Sequence, residues 1–241
     1  MSSLLRKAAK IYQDHGFLDL AYRGSRFLAS QILCEVFNIP SRKIGVYNGV
    51  SVRKDVLLRP DDVHPSYEKA LINQIRNTVE TGEKIVVIGG GNGVSTTVAA
   101  RRAGVSGQVI SYEGSEKHVK IVRETTVLNK ISDRVTVKHA IVSDAYQLFS
   151  EAGTASRIEP SALPECDVIV MDCEGSELDI LRNMSVQPRA VIVETHAFLD
   201  SPEHKIRKEL SKMNYSVVDR GVEDKQAGVY VLSALYNRDG E

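Results

Sequence analysis

Tryptophan is absent from this sequence, and cysteine is scarce, with three residues in a chain of 241. Cys34, Cys166 and Cys173 are too few and too irregularly spaced for a disulfide framework or a zinc ribbon. A reducing compartment is therefore the simpler interpretation of the cysteine content.

Net charge is also lacking, because 31 lysines and arginines balance 31 aspartates and glutamates. This balance gives no overall electrostatic reason for binding nucleic acid, and we expect no nucleic-acid partner. No apolar run approaches the roughly 20 residues that span a bilayer. Charged residues interrupt the segment in which a secretory signal would be apolar, namely Arg6, Lys7, Lys10 and Asp14. We expect a cytoplasmic protein without a transmembrane segment.

What the sequence does contain is an alternation of apolar strands and amphipathic helices from residue 61 onward. This alternation predicts an α/β fold, with a mostly parallel twisted sheet and helices on both faces. The predicted strands are Ile85–Ile88, Gln108–Tyr112, Val135–Val142, Val168–Met171, Ala190–Val193, Tyr215–Asp219 and Val229–Ala234. The predicted helices are Ser66–Thr81, Thr97–Ala103, Glu116–Asn129, Asp144–Ser150, Ser176–Met184 and Pro202–Met213. The last two strands are joined by a polar loop too short for a crossover helix, so we expect a terminal antiparallel hairpin.

The first 60 residues form a separate extension in this interpretation, followed by a cofactor-binding domain from residue 61 to residue 241. Apolar positions recur at helical spacing up to about residue 38, which predicts N-terminal helices. Asn48-Gly49 within Lys43–Leu58 predicts a small β-hairpin. The basic helices are expected to pack on the main domain or on a second subunit. Peripheral contact with anionic lipid is the alternative.

The most informative stretch is Lys84–Thr97, which combines a buried strand, a glycine turn and the start of a helix. Its glycines satisfy GxGxG, whereas the dinucleotide pattern GxGxxG would need glycine or alanine in place of Val94. This spacing favours an adenosyl ligand without a pyrophosphate. The candidate cofactor-binding residues of the turn are Gly89, Gly90, Gly91, Asn92, Gly93 and Ser95.

A carboxylate follows the second strand of the domain at Glu113, twenty residues after Gly93. At that place a carboxylate can accept both hydroxyls of a ribose. A solvated surface glutamate is the alternative. We therefore expect Glu113 to contact the cofactor.

A second group of polar residues follows the fourth and fifth strands, at the edge where open α/β sheets bind ligands. Asp172, Glu194 and His196 are the candidate catalytic residues, because a carboxylate or imidazole can take a proton from an acceptor hydroxyl. Glu174 and Glu177 lie near the start of the next helix, where negative charge is favoured on structural grounds alone. The same group has the donor types of a divalent metal site, but scattered acidic ligands do not favour a metal, and we assign no metal ligand.

The chain resembles the class I S-adenosylmethionine-dependent methyltransferases, and within them the FkbM family. The residues that carry this resemblance are VIGGGNGVS, YEGSE, MDCEGSELDIL and VIVETH, and the likeness covers roughly Tyr67 to Leu235. It implies a Rossmann-like methyltransferase fold, S-adenosylmethionine as cofactor, and O-methylation of a hydroxyl on a sugar, glycoconjugate or related small molecule. It also implies cofactor contacts at Gly114, at Ala140 toward the end of the third strand, and at Asp172. Val87 departs from the family, which usually has an acidic residue two positions before the first glycine.

Two other functions fit parts of the pattern. A nicotinamide-dependent oxidoreductase would share the fold and the acidic residue, but Val94 and the terminal hairpin disfavour it. A non-catalytic cofactor-binding or scaffold protein is suggested by Val87 and by the helical N-terminus.

Overall fold

The computed structural model describes residues 12, 16–18, 20–22, 24–25, 42–55, 63–142, 155–173, 175–199 and 201–237. The predicted helix Asp144–Ser150 and the candidate residue Glu174 lie outside these ranges. The chain divides into two compact units, Met1–Val46 with Arg53–His64, and Tyr47–Val52 with Pro65–Glu241. The described positions between residues 12 and 25 are helical, as the sequence predicts.

The predicted hairpin is present as strands β1 (Arg42–Tyr47) and β2 (Val50–Asp55). Asn48 and Gly49 both have positive φ, 48° and 81°, as a type I′ turn requires. With β3 (Val63–His64), the hairpin forms a three-stranded sheet in the order β2-β1-β3.

Within the described residues the main sheet has eight strands, and it confirms the predicted α/β architecture. The strands are β4 (Lys84–Ile88), β5 (Gln108–Glu113), β6 (Val135–Val142), β7 (Ser156–Ile158), β8 (Val168–Met171), β9 (Ala190–His196), β10 (Tyr215–Asp224) and β11 (Val229–Tyr236). Their order is β10-β11-β9-β8-β4-β5-β6-β7. All neighbouring pairs are parallel except those of β11, which is antiparallel to both β9 and β10. The strand order reverses at β4, so the crevice between the ends of β4 and β8 is where this fold binds ligands.

Helices accompany the sheet as α1 (Lys69–Thr78), α2 (Val94–Ala103), α3 (Glu116–Leu128), α4 (Glu177–Asn183) and α5 (Glu203–Lys212). Side chains of β4 alternate between two hydrophobic cores, with Ile85 and Val87 in one and Val86 and Ile88 in the other. Strands with both faces covered read as continuous apolar runs, which is why the sequence pattern of β4 was recognisable. Among the described helices, none is long and apolar enough to cross a membrane.

Several boundaries differ from the sequence prediction, and one of them matters for function. Strand β9 continues to His196 instead of ending at Val193, because β11 pairs with it as far as Val229 opposite His196. Glu194 and His196 therefore lie on a strand. The segment between the predicted helix Asp144–Ser150 and the predicted strand Val168–Met171, for which the sequence predicts no element, contains β7 and a short 3₁₀ helix, Pro160–Ala162. Its three-residue strand is too short to give a periodic signal.

Candidate active site

The glycine turn begins where β4 leaves the sheet between its two parallel neighbours. The Gly89 N–H donates to the Tyr112 carbonyl at 3.0 Å, and the Asp172 N–H donates to the Ile88 carbonyl at 2.9 Å. A Cβ atom on Gly89 would overlap the backbone oxygen of Asp172, so a side chain is excluded there. The turn is thus packed directly against the end of β8.

Space is open on the other side of the turn. Gly91 has φ of 49°, and a Cβ atom built on it would meet no atom within 4 Å. The turn leads into α2 at Val94, with Ser95 buried in the first helical turn. A small backbone surface beside free space is what an adenosyl ligand needs for close approach.

Glu113 holds this turn at the end of β5. Its carboxylate accepts a hydrogen bond from the Gly91 N–H at 2.8 Å and another from the Ser115 N–H at 2.8 Å. The side chain is therefore built into the turn and is not a solvated surface group. Gly114 lies next to it, and its carbonyl is 3.1 Å from His139 Nε2. Ala140 follows His139 and is buried on β6.

Val87 is fully buried in β4, between Ser111 of β5 and Val170 of β8. It packs in the apolar core that also contains Ile85 and Val98. A carboxylate at this position would be surrounded by apolar atoms, at a high desolvation cost. The departure from the family pattern is therefore consistent with the packing of this chain.

Asp172, Glu194 and His196 come together at the carboxyl edge of β8 and β9. His196 Nε2 is 3.7 Å from Asp172 Oδ1 and 3.6 Å from Glu194 Oε1. Glu194 is only 7% exposed, and its Oε2 atom has no hydrogen-bond partner among the described residues. We call these three residues the acidic triad.

Glu177 fixes the imidazole of His196 by a hydrogen bond at Nδ1, the ring nitrogen that points away from Asp172 and Glu194. Its Oε1 atom lies 3.0 Å from His196 Nδ1, and the same carboxylate accepts from the N–H groups of Cys173 and Gly175. Burial opposes ionisation of Glu177, but the hydrogen bonds from His196 and the loop outweigh it and lower its pKa. An ionised carboxylate only accepts hydrogen bonds, so His196 Nδ1 carries a proton. Its other ring nitrogen, Nε2, faces Asp172 and Glu194. Glu177, the negative charge at the start of α4, thus positions the ring of His196.

The backbone of His196 is also fixed. Its N–H and carbonyl exchange hydrogen bonds with Ser201 at 2.9 and 3.1 Å, after a 3₁₀ helix at Ala197–Leu199. The Ser201 hydroxyl then donates to the Gly175 carbonyl at 3.1 Å. The loops that follow β8 and β9 are therefore tied to each other.

Tyr67 and Glu68 also belong to the site, although no sequence pattern marks them. The Asn92 side-chain amide donates to the Tyr67 hydroxyl at 2.9 Å. Glu68 has φ of 45°, a conformation that non-glycine residues rarely adopt and that often marks functional sites. Both residues precede α1 in an unremarkable polar stretch, so only the tertiary structure reveals them.

Burial changes the protonation of the acidic groups. It raises the pKa of Glu194 to about 10, with the charge of Asp172 as the next cause. It likewise raises the pKa of Glu68 to about 8, again with Asp172 next. Groups whose pKa values are driven apart within one site can divide the roles of acid and base, since Glu177 stays ionised nearby.

Comparison with known proteins places this geometry in context. A sequence model of the Methyltransferase FkbM domain matches residues 44–217. Ribosomal protein L11 methyltransferase of Syntrophomonas wolfei is 34% identical over 84 residues, which are 35% of this chain and 27% of that protein. The match therefore spans about a quarter of the length of this relative.

Solved structures with little sequence identity share the fold. P. horikoshii TYW2 in complex with MeSAdo has a TM-score of 0.54 at 15% identity, covering 87% of this chain and 82% of its own. A SAM-dependent O-methyltransferase of Thermotoga maritima has a TM-score of 0.50 at 18% identity, covering 87% of this chain and 83% of its own. At these identities the likeness establishes the fold.

Proposed function

The chain belongs to the FkbM methyltransferase family, whose cofactor is S-adenosylmethionine, and we propose that it methylates a hydroxyl oxygen of a sugar, glycoconjugate or related small molecule. The observation that carries the proposal is the acidic triad of Asp172, Glu194 and His196 beside the glycine turn. A hydroxyl has a high pKa, so its methylation needs a group that removes the proton as the new bond forms.

We assign the cofactor to the turn formed by Gly89, Gly90, Gly91, Asn92, Gly93 and Ser95, together with Glu113, Gly114, Ala140 and Asp172. The open space at Gly91 fits a ligand that approaches the backbone closely. Glu113 keeps the Gly91 N–H in place, and its carboxylate is the group suited to ribose hydroxyls. When bound, S-adenosylmethionine supplies an electrophilic methyl group on a sulfonium.

The triad would bind the acceptor hydroxyl and remove its proton. His196 Nε2 or the Asp172 carboxylate would take the hydroxyl proton as the acceptor oxygen is methylated. Glu177 keeps His196 in the tautomer whose Nε2 can accept that proton. Most of the catalytic effect would come from positioning, because the reaction is a single in-line displacement.

An exposed ring lies where the acceptor would enter. Phe198 is 63% exposed, and its ring meets the His196 ring edge to face at a centroid distance of 5.9 Å. An exposed aromatic face beside polar groups suits the apolar face of a sugar ring. This supports a carbohydrate or similar acceptor.

A protein acceptor is the second candidate, and the partial likeness to ribosomal protein L11 methyltransferase favours it. The test is therefore a methyl-transfer screen with S-adenosylmethionine over sugars, glycoconjugates and ribosomal proteins, with products identified by mass. We expect methylation of a hydroxyl compound. Transfer only to protein would replace the first candidate with the second.

Variants separate binding from chemistry in that screen. His196→Asn should lower kcat by about 10²- to 10⁴-fold, the usual contribution of a general base, with cofactor affinity unchanged. His204→Asn is the matched control, because His204 is an exposed histidine on α5. No cofactor binding by calorimetry at millimolar S-adenosylmethionine would overturn the whole proposal.

A further inference from the structure

The acidic triad contains an arrangement that proton transfer alone does not explain. Asp172 Oδ1 and Glu194 Oε1 both face His196 Nε2, at 3.7 and 3.6 Å. These separations exceed those of a hydrogen bond, which for nitrogen and oxygen lies at about 2.7–3.2 Å. His196 Nε2 therefore faces both carboxylates at distances longer than a hydrogen bond.

The separations fit ligands that share one ion. For a tetrahedral ion with ligands at about 2.2 Å, neighbouring ligand atoms lie about 3.6 Å apart. One ligand atom from each of Asp172, Glu194 and His196 can be chosen so that all lie within 4.8 Å of one another. Imidazole nitrogen suits Zn²⁺ and Fe²⁺, and carboxylate oxygen suits Mn²⁺ and Mg²⁺, so this mixed set of donors suits a divalent cation.

A second observation points independently to a missing ligand. Glu194 is more than nine-tenths buried, and its Oε2 atom has no hydrogen-bond partner among the described residues. A buried carboxylate oxygen without a partner is costly, and native proteins usually satisfy such atoms. A cation bound to this carboxylate would satisfy it.

The surroundings of His196 match those of a metal-binding histidine. Such a histidine usually donates its other ring N–H to a carboxylate, which fixes the ring and makes the coordinating nitrogen more basic. Glu177 occupies this place, 3.0 Å from Nδ1, and is itself held by the N–H groups of Cys173 and Gly175. The loop thus orients Nε2 toward the two carboxylates.

We propose that Asp172, Glu194 and His196 bind one divalent cation, and that this cation takes the acceptor hydroxyl as a further ligand. The second part rests on the proposed function, whereas cation binding does not. Asp172 is the most accessible of the three side chains, at 24% exposure, so the acceptor reaches the ion from its side. With the ion on His196 Nε2, the hydroxyl proton passes to the Asp172 oxygen that does not hold the ion.

Mn²⁺ titration of the full chain after treatment with EDTA tests cation binding directly. Calorimetry, or the electron paramagnetic resonance of free Mn²⁺, should show one ion per chain. Glu194→Gln and Asp172→Asn should each weaken binding by at least 10-fold, and Glu177→Gln by about 10- to 100-fold as an orienting residue. Glu209→Gln is the matched control, because Glu209 is a buried glutamate that pairs with Arg182 on the neighbouring helix.

The outcomes separate the two proposals. If wild-type protein binds neither Mn²⁺ nor Zn²⁺ at millimolar concentration, or if all three site variants bind as wild type, the cation site is wrong. Hydroxyl methylation at full rate in EDTA would overturn the role of the cation in holding the acceptor while leaving the proposed function intact. One bound ion without methylation of any hydroxyl compound would keep the site and remove the proposed function. Since two ligand variants are tested, loss of folding in one does not prevent a decision.

Discussion

Glu113 serves two purposes, since one carboxylate holds the glycine turn and is also the group proposed to bind ribose. Glu113→Ala removes the acceptor of the Gly91 and Ser115 N–H groups. We expect S-adenosylmethionine to bind about 1–3 kcal/mol more weakly, the usual cost of leaving a polar partner unpaired. Calorimetry with the purified variant measures this.

The control for Glu113 is another glutamate three residues along the chain. Glu116 is exposed and pairs with Lys120 on α3. Glu116→Ala should bind the cofactor as wild type does. Equal affinities of the Glu113 variant and wild type would remove Glu113 from the proposed site.

Phe198 offers a prediction about the acceptor that is independent of the base. Phe198→Ala should raise the KM for a sugar acceptor several-fold, because the ring supplies apolar contact worth about 0.5–1.5 kcal/mol. Cofactor affinity should not change, since the ring packs on His196, which we assign to the acceptor. Phe17→Ala is a matched control with a similarly exposed ring. A raised cofactor Kd instead would mean that Phe198 belongs to the cofactor site.

At the scale of elements, α5 is tied to strand β10 by a charged contact. Glu203 accepts from Arg220 at 2.8 and 2.9 Å and from Arg207 at 2.8 Å. The hydrogen bond from Arg220 is the largest cause that lowers the pKa of Glu203 below its ordinary value of 4.5. A lowered folded-state pKa means that this contact stabilises the fold above about pH 4.5 and is lost as pH falls through the folded value.

Glu203→Gln should therefore lower the unfolding temperature slightly at pH 7 and hardly at all at pH 3. The effect should stay below about 1 kcal/mol, because the pair lies at the surface. Thermal unfolding of both proteins at the two pH values measures it, with exposed Glu165→Gln as control. A difference that persists at pH 3 would assign the effect to packing instead of charge.

The elements also show what could be predicted from sequence. Strands buried on both faces, such as β4 and β8, were located within a residue because their apolar runs are continuous. The extension of β9 to His196 could not be predicted, because it depends on pairing with β11, a contact distant in sequence. Asp172, Glu194 and His196 were predicted to lie near one another because strands in a parallel sheet end at the same edge.

Other parts of the site left no local signal. Glu177 looked like an ordinary negative charge at a helix start, and only its hydrogen bond to His196 distinguishes it. Glu68 is recognisable by its left-handed backbone, which no sequence pattern around it indicates. Residues that act through tertiary contacts are invisible to periodicity and spacing.

At the scale of the whole molecule, we propose that the cofactor-binding domain of residues 61–241 also needs Tyr47–Val52. This segment belongs to the second compact unit, where Val50 and Val52 are fully buried. The Asn129 side chain also bonds both backbone groups of Ser51. Losing two buried valines would cost about 1.5–3 kcal/mol each.

A chain that begins at Arg42 should therefore bind S-adenosylmethionine like the full chain, whereas one that begins at Asp61 should unfold at a lower temperature. Thermal unfolding with and without cofactor compares the two. Equal stability of the two shortened chains would show that the hairpin tip is dispensable. Loss of cofactor binding in the longer one would place part of the site in residues 1–41.

Strand β11 follows β10 in the chain but lies between β9 and β10 in the sheet. Until it is synthesised, β9 has an unpaired edge, and the strand that carries Glu194 and His196 lacks its partner. Glu223 of β10 also accepts hydrogen bonds from the N–H groups of Lys69 and Ala70. The start of α1 therefore gains these bonds only after a residue about 150 positions later in the chain has been synthesised. The site therefore cannot form step by step while the chain leaves the ribosome. An unpaired strand edge can pair with another chain, so the interval before β11 inserts exposes the nascent chain to aggregation.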